Sequence, residues 1–213
     1  MTDTALAGLS LETVAAIAAM AFAGTWSPGP NNALLSASGA RFGFRATLPH
    51  ARGVALGFPA MLFALALGMG AVFRQSELLR ETLRWGGAAL LVWLAWRTAT
   101  APAPGKGGGR ARPFTFLEAA AFQWINPKAW IMALAVISQF ADGSAPLRDA
   151  GVIAAVYAVS GLGSSHSWAG LGAAIGRFLG DGWRLRAFNL VMAALLLAGV
   201  AALLTEDLTP PPA

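Results

Sequence analysis

The sequence predicts an all-α integral membrane protein. Six transmembrane helices form two inverted three-helix repeats, and proline breaks the first and fourth helices. Three observations carry that expectation. The chain is 56% hydrophobic but only 12% charged, whereas about a quarter of a soluble domain is charged. Six segments are apolar enough to span, at about 11–26 (continuing past an interruption to about 40), 53–73, 83–96, 116–140, 150–174 and 188–204. The first segment of each half carries proline among polar side chains.

A span needs about 20 mostly apolar residues, within roughly 17 to 25. The third and sixth segments are short and the fourth is long. The N-terminal stretch holds Asp3 and Glu12 and no Lys or Arg before Arg41. It therefore lacks the basic start of a cleavable signal peptide, and the first segment is expected to stay in the mature protein. Residues 98–113 are rich in Pro and Gly with scattered basic side chains, the composition of a flexible, solvated linker. That linker divides a first repeat, 1–97, from a second, 114–213. Three spans is an odd number, so the second repeat is inverted relative to the first, a common plan for transporters.

Basic residues set the orientation. Arg41, Arg45 and Arg52 fall in the first loop, Arg97, Lys106, Arg110 and Arg112 in the third, and Arg177, Arg184 and Arg186 in the fifth. Arg74, Arg80, Arg84 and Arg148 fall in the second and fourth. Ten against four places the odd loops in the cytoplasm and both termini outside it. The net charge of +5 is thus a topology signal, and no nucleic-acid partner is expected. There is no cysteine, which removes disulfides, thiolate metal sites and thiol redox chemistry. No cofactor and no metal is expected. The run Gly105-Lys106-Gly107-Gly108-Gly109 lacks the Walker spacing.

The first break is Ser27-Pro28-Gly29-Pro30-Asn31-Asn32, and the second is Asn126-Pro127-Lys128. Proline removes a backbone donor and clashes with the preceding turn, so the helix kinks or stops. In lipid, the freed carbonyls must find partners. Ser27 and Asn126 are suited to cap a restarted helix, with Pro28 and Pro127 at its first position. Each restart would turn unpaired N–H groups and a positive dipole end into the membrane, an arrangement that suits a carboxylate. Lys128 lies about twelve residues into its span, where lysine costs at least about 2.5–3.5 kcal/mol. It is expected to add its charge to the site. Asn31 and Asn32 either touch the ligand or repair the broken backbone, and Gln123 and Trp124, one turn before the second break, could line the same cavity.

Gly161 to Trp168 places Ser164, Ser165, His166 and Ser167 midway along the fifth segment. His166 is a proton-coupling candidate, because ionisable groups inside membranes are rare and titrate near neutrality when they are histidines. Hydrogen bonding to a neighbouring helix is its structural alternative. Adjacent helical residues point about 100° apart, so Ser165 and His166 cannot form a catalytic dyad. No Gly-x-Ser-x-Gly elbow is present, and no enzyme is expected. Glu118 reads as a helix-start carboxylate. Gly53 with Gly57, and Gly172 with Gly176, are spaced for close helix packing within the chain or across a homodimer.

Residues 27–58, from the Ser-Pro-Gly-Pro-Asn block through a basic loop into a glycine-rich span, resemble the first signature of the LysE/RhtB family of amino-acid exporters. Residues 122–140 are similar to the Asn-Pro-Lys region of that family's fourth span. Residues 43–58, 90–102 and 188–197, His50 among them, resemble the cysteine/O-acetylserine exporter branch. The resemblance implies a bacterial inner-membrane exporter of amino acids or close derivatives, driven by exchange for protons. It also implies that Pro28, Gly29, Pro30, Asn31, Asn126, Pro127 and Lys128 carry the site. An intramembrane enzyme and a non-transporting structural or lipid-binding protein are the alternatives.

Overall fold

The computed structural model describes residues 10–69, 76–102, 112–141, 145–180 and 182–205. Among them are eight α-helices and no strand. They are α1 (Leu11–Trp26), α2 (Pro30–Phe42), α3 (Phe44–Ala64), α4 (Glu77–Ala99), α5 (Phe116–Phe122), α6 (Pro127–Phe140), α7 (Pro146–Leu179) and α8 (Trp183–Thr205). A π-helical segment, Leu65–Met69, continues α3, and a 3-10 turn, Gln123–Ile125, ends α5.

The described residues form helix in every one of the six apolar segments, with altered bounds. The first and fourth segments are each two helices. The first basic loop shrinks to one residue. Gly43 joins α2 to α3 at φ 82°, a left-handed conformation that costs glycine little. Arg45 and Arg52 therefore lie on α3, not in a loop. Arg74, Lys106, Arg110 and most of the 98–113 linker lie outside the described residues. Among the described residues, two helices are by themselves long and apolar enough to cross a membrane, Phe44–Gly68 and Trp183–Thr205. α1 is apolar but shorter. α4 opens with Glu77, Glu81 and Arg84, which leaves only its later turns apolar. α7 has 34 residues, about 51 Å at 1.5 Å each, longer than a hydrocarbon core of roughly 30 Å.

The helices pack in a definite pattern. α3 lies on α7, α4 on α8, α1 and α2 on α7, and α5 on α3. One apolar core joins Ile17, Phe58, Met61, Leu62, Trp130 and Tyr157. A second joins Leu34, Leu91, Leu94, Phe122, Met192 and Leu196. Large apolar side chains such as Phe22, Trp85, Trp96, Val159 and Phe178 point outward, as in a protein whose solvent is lipid.

Both glycine pairs serve this packing. A Cβ on Gly53 would strike the Phe116 carbonyl, and one on Gly57 would strike the Ala120 backbone, so α5 sits directly on α3. A Cβ on Gly172 would strike Ser36, and one on Gly176 would strike Ala40, so α2 sits as closely on α7. Glu118 is the helix-start carboxylate that the sequence suggests. It forms a capping box with Thr115 and accepts two bonds from Arg112, at 2.8 and 3.1 Å.

Gly172→Ala should destabilise the bundle, by about 1–3 kcal/mol if the facing backbone yields as an overpacked core does. Gly151→Ala, on the same helix with open space at its Cβ, should be neutral or stabilising by up to about 1 kcal/mol. Thermal unfolding of both variants in detergent measures the difference.

Candidate functional site

The site is built where the two breaks meet. At the first, two residues precede prolines, and a residue before proline is pushed out of the helical region. Ser27 is extended, at φ −68° and ψ 149°, and Gly29 is fully extended, at φ 173°. α2 can restart only at Pro30. The expected cap is therefore corrected. Ser27 closes α1, Gly29 precedes α2, and Pro30, not Pro28, takes the first helical position. At the second break only one such residue exists. Asn126, at φ −86° and ψ 113°, holds the N-cap position of α6 but makes no side-chain cap bond, and Pro127 takes the first helical position.

The end of α1 leaves carbonyls without partners inside the helix. Side chains from three helices supply them. Ser27 Oγ donates to Gly24 O at 3.0 Å. Asn32 Nδ2 donates to Thr25 O at 2.9 Å and to Ser27 O at 2.8 Å. Ser164 Oγ on α7 donates to Thr25 O at 2.7 Å. Lys128 Nζ on α6 donates to Ser27 O and Ser27 Oγ, both at 2.8 Å, and to Pro28 O at 3.2 Å. The ammonium thus has an acceptor for each of its three protons. It sits at the negative end of the α1 dipole, where a cation is stabilised.

Asn31 and Gln123 pair through both amide groups. Asn31 Nδ2 donates to Gln123 Oε1 at 2.8 Å, and Gln123 Nε2 donates to Asn31 Oδ1 at 3.3 Å and to Ala119 O at 2.8 Å. The pair joins α2 to the 3-10 turn. The two asparagines of the first break thus divide the work: Asn32 repairs backbone, and Asn31 crosses to the other half.

These groups wall a narrow cavity with about 40 Å³ of space for the centres of water-sized molecules. That is room for a few waters. Gly29, Asn31, Asn32, Gln123, Asn126 and Lys128 all line it. Asn126 is 1% exposed, and its Oδ1 has no hydrogen-bond partner. A buried acceptor left unpaired costs about 1–3 kcal/mol. Pro28 reaches the site through its carbonyl. Pro30 packs against Gly199 on α8, and Pro127 is buried outside the cavity.

Trp124 does not line the cavity; its carbonyl accepts from Trp130 Nε1 at 2.7 Å. His166 also lies off it. Its Nδ1 is 2.7 Å from Leu162 O, one turn back on its own helix, and its ring meets the edge of Phe44. Tyr157, Gly161, Ser164 and Ser165 do line it. Tyr157, Gly161 and Ser164 stand at i, i+4 and i+7, one stripe of α7. That spacing is legible in the sequence, and His166, two residues past Ser164, falls on another face. Thr25 carries no such signal. It lines the cavity because α1 ends there, with its hydroxyl 2.8 Å from Ser160 Oγ.

Residues 22–207 match the model of a family described as LysE type translocator. Cysteine/O-acetylserine efflux proteins of Escherichia coli (strain K12) and Shigella flexneri are each 35% identical over 117 residues, covering 54% of this chain and 58% of the relative. One from Escherichia coli O1:K1 / APEC is 34% identical over the same coverage. The chain thus spans little more than half the length of the curated relatives it matches. No solved structure matches it.

Asn32→Ala should strip a donor from the Thr25 and Ser27 carbonyls and lower stability by about 1–3 kcal/mol. Thermal unfolding against the wild-type chain checks this, and an unchanged midpoint would show that water repairs the break equally well.

Proposed function

The chain belongs to the LysE type translocator family, and from that premise we propose that it is a secondary exporter of amino acids or close derivatives across the bacterial inner membrane. A translocator is not an enzyme. Cysteine and O-acetylserine, named for the relatives, are the first substrates to test. The observation that carries the reading is one cavity between two broken helices lined by both Lys128 and Asn126, whose Oδ1 is unpaired.

A zwitterion suits that pair. The substrate carboxylate takes the Lys128 ammonium from the Ser27 and Pro28 carbonyls. Its ammonium donates to Asn126 Oδ1. Asn31, Asn32 and Gln123 then orient the remainder, with Gly29 and Pro30 shaping the first wall and Pro127 the second. Once the ligand leaves, the carbonyls retake the lysine. The empty carrier therefore never leaves the charge unpaired, which a membrane interior penalises. The cavity is too tight for an amino acid as it stands, so binding requires the breaks to part.

The reading includes six spans in two inverted repeats. Corresponding elements of the halves face one another: α3 on α7, α4 on α8, and break on break. α5 on α3 mirrors α1 on α7, each the helix before a break lying on the second helix of the other half. The ends of α2 and α4 and the start of α8 gather at one end of the bundle. Arg84, by contrast, donates to Leu204 O at 2.7 Å at the other end. That grouping fits basic loops in the cytoplasm and both termini outside. Exchange against protons completes the proposal, with His166 as its coupling candidate.

Lys128→Gln should insert normally and lower export from reconstituted vesicles about ten- to a hundredfold, the worth of a charged hydrogen bond. Lys128→Arg should retain part of the rate. Wild-type flux from Lys128→Gln would sink the site assignment, and absence of flux for every amino acid in the wild-type protein would sink the export reading. Export that is indifferent to collapse of the proton gradient would remove the antiport, and His166→Asn at wild-type rates would remove that residue from it.

A further inference from the structure

A second cavity opens at the end of the bundle where α2 and α4 finish and α8 begins. It holds about 90 Å³ of space for the centres of water-sized molecules, more than twice the central one. Ser38, Arg41, Arg97, Thr98 and Asn189 supply its polar wall, and Leu34 and Phe114 belong to its apolar wall. Leu34 stands three residues from Asn31 on α2, about 4.5 Å along the axis, so the two cavities are neighbours on one helix.

Its chemistry is one-sided. Two guanidinium groups share the cavity and repel one another, and among the described residues no carboxylate lines it. Arg97 Nε is buried and has no hydrogen-bond partner. Its guanidinium lies 5.5 Å from the Trp93 ring, within the range of a cation–π contact that holds it in place. Asn189 spends Nδ2 on Ala101 O at 3.1 Å. A buried donor without an acceptor, beside a second positive charge, is costly unless an acceptor arrives from outside. The guanidinium fork matches oxyanions.

We propose that this cavity is a second binding site, one that takes a single oxyanion between Arg41 and Arg97. Two sources share that chemistry. One is the carboxylate of the exported substrate, held before it passes Leu34 and Phe114; this source rests on the export reading. The other is the phosphate of an anionic lipid headgroup reaching in beside α4.

The test uses the full chain in an uncharged detergent, with wild type, Arg97→Gln and Arg41→Gln. One arm titrates O-acetyl-L-serine by calorimetry in the Lys128→Gln background, where the central site is disabled. The other follows retention of phosphatidylglycerol by native mass spectrometry. In at least one arm, each arginine variant should weaken binding about tenfold or more. Loss in the first arm identifies a substrate vestibule, and loss in the second a lipid site. Wild-type behaviour of the arginine variants in both arms, or no binding to the arginine-intact protein in either, overturns the proposal. If Arg97→Gln fails to fold, Arg41→Gln carries the test by itself. Export that depends on Lys128 while both arms ignore the arginines sinks this site and leaves the central one. Phosphatidylglycerol retention that depends on Arg97 in a protein without flux does the reverse.

Discussion

Three hydrogen bonds from the ammonium of Lys128 to the closing residues of α1 tie the two halves of the chain together. Much of the interior is arranged around that contact. A helix that stops inside an apolar bundle exposes carbonyls with no water to receive them. A lysine in the same place exposes three donors and a charge. Either alone is costly; placed together they answer each other. The contact also fixes where the breaks must lie, because α6 has to present residue 128 to residues 27 and 28 across the bundle. Close seating of α2 on α7 and of α5 on α3 makes that approach possible, and it depends on glycine at positions 39, 53, 57, 172 and 176.

This arrangement gives the break a second use. Bonds that hold a cation with neutral carbonyls are exchangeable for bonds to a carboxylate, which is the stronger acceptor. A site whose own backbone stands in for the ligand is stable empty and receptive to an anion. Asn126 Oδ1 is the exception within it, a buried acceptor with nothing to accept. Such an atom makes sense if a ligand brings the missing donor. The basic cavity beyond Leu34 follows the same logic with the sign reversed, since there a donor is left over.

The break residues divide into those that repair and those that face the cavity. Asn32, Ser27 and Ser164 are spent on the α1 carbonyls. Asn31 and Gln123 are spent on each other. Lys128 and Asn126 keep capacity that a ligand could use, the first by exchange and the second outright.

Much was legible in the sequence by itself. Apolar segments and the prolines of the two breaks located the helices and their interruptions, because a proline's missing donor and its clash are local facts. Glu118 as a helix-start carboxylate, the tight glycine pairs and Asn126-Pro127 as a helix start are likewise short-range, and each is seen in the structure. What the sequence left open was decided by contacts across the bundle. Ser27-Pro28 is as good a local helix start as Gly29-Pro30, and the second proline of the pair settled the matter by holding Gly29 extended. His166 and Ser164 are nearly adjacent in sequence. Helical spacing puts them on different faces, and the packing of α7 against α1, α2 and α3 decided that Ser164 turns inward and His166 toward Phe44. The acceptors of Lys128 lie a hundred residues away, and two of the three are backbone carbonyls, which every sequence possesses and none advertises. Local stereochemistry writes the breaks into the chain, but which atoms meet across them depends on distances that exist only once the helices have packed.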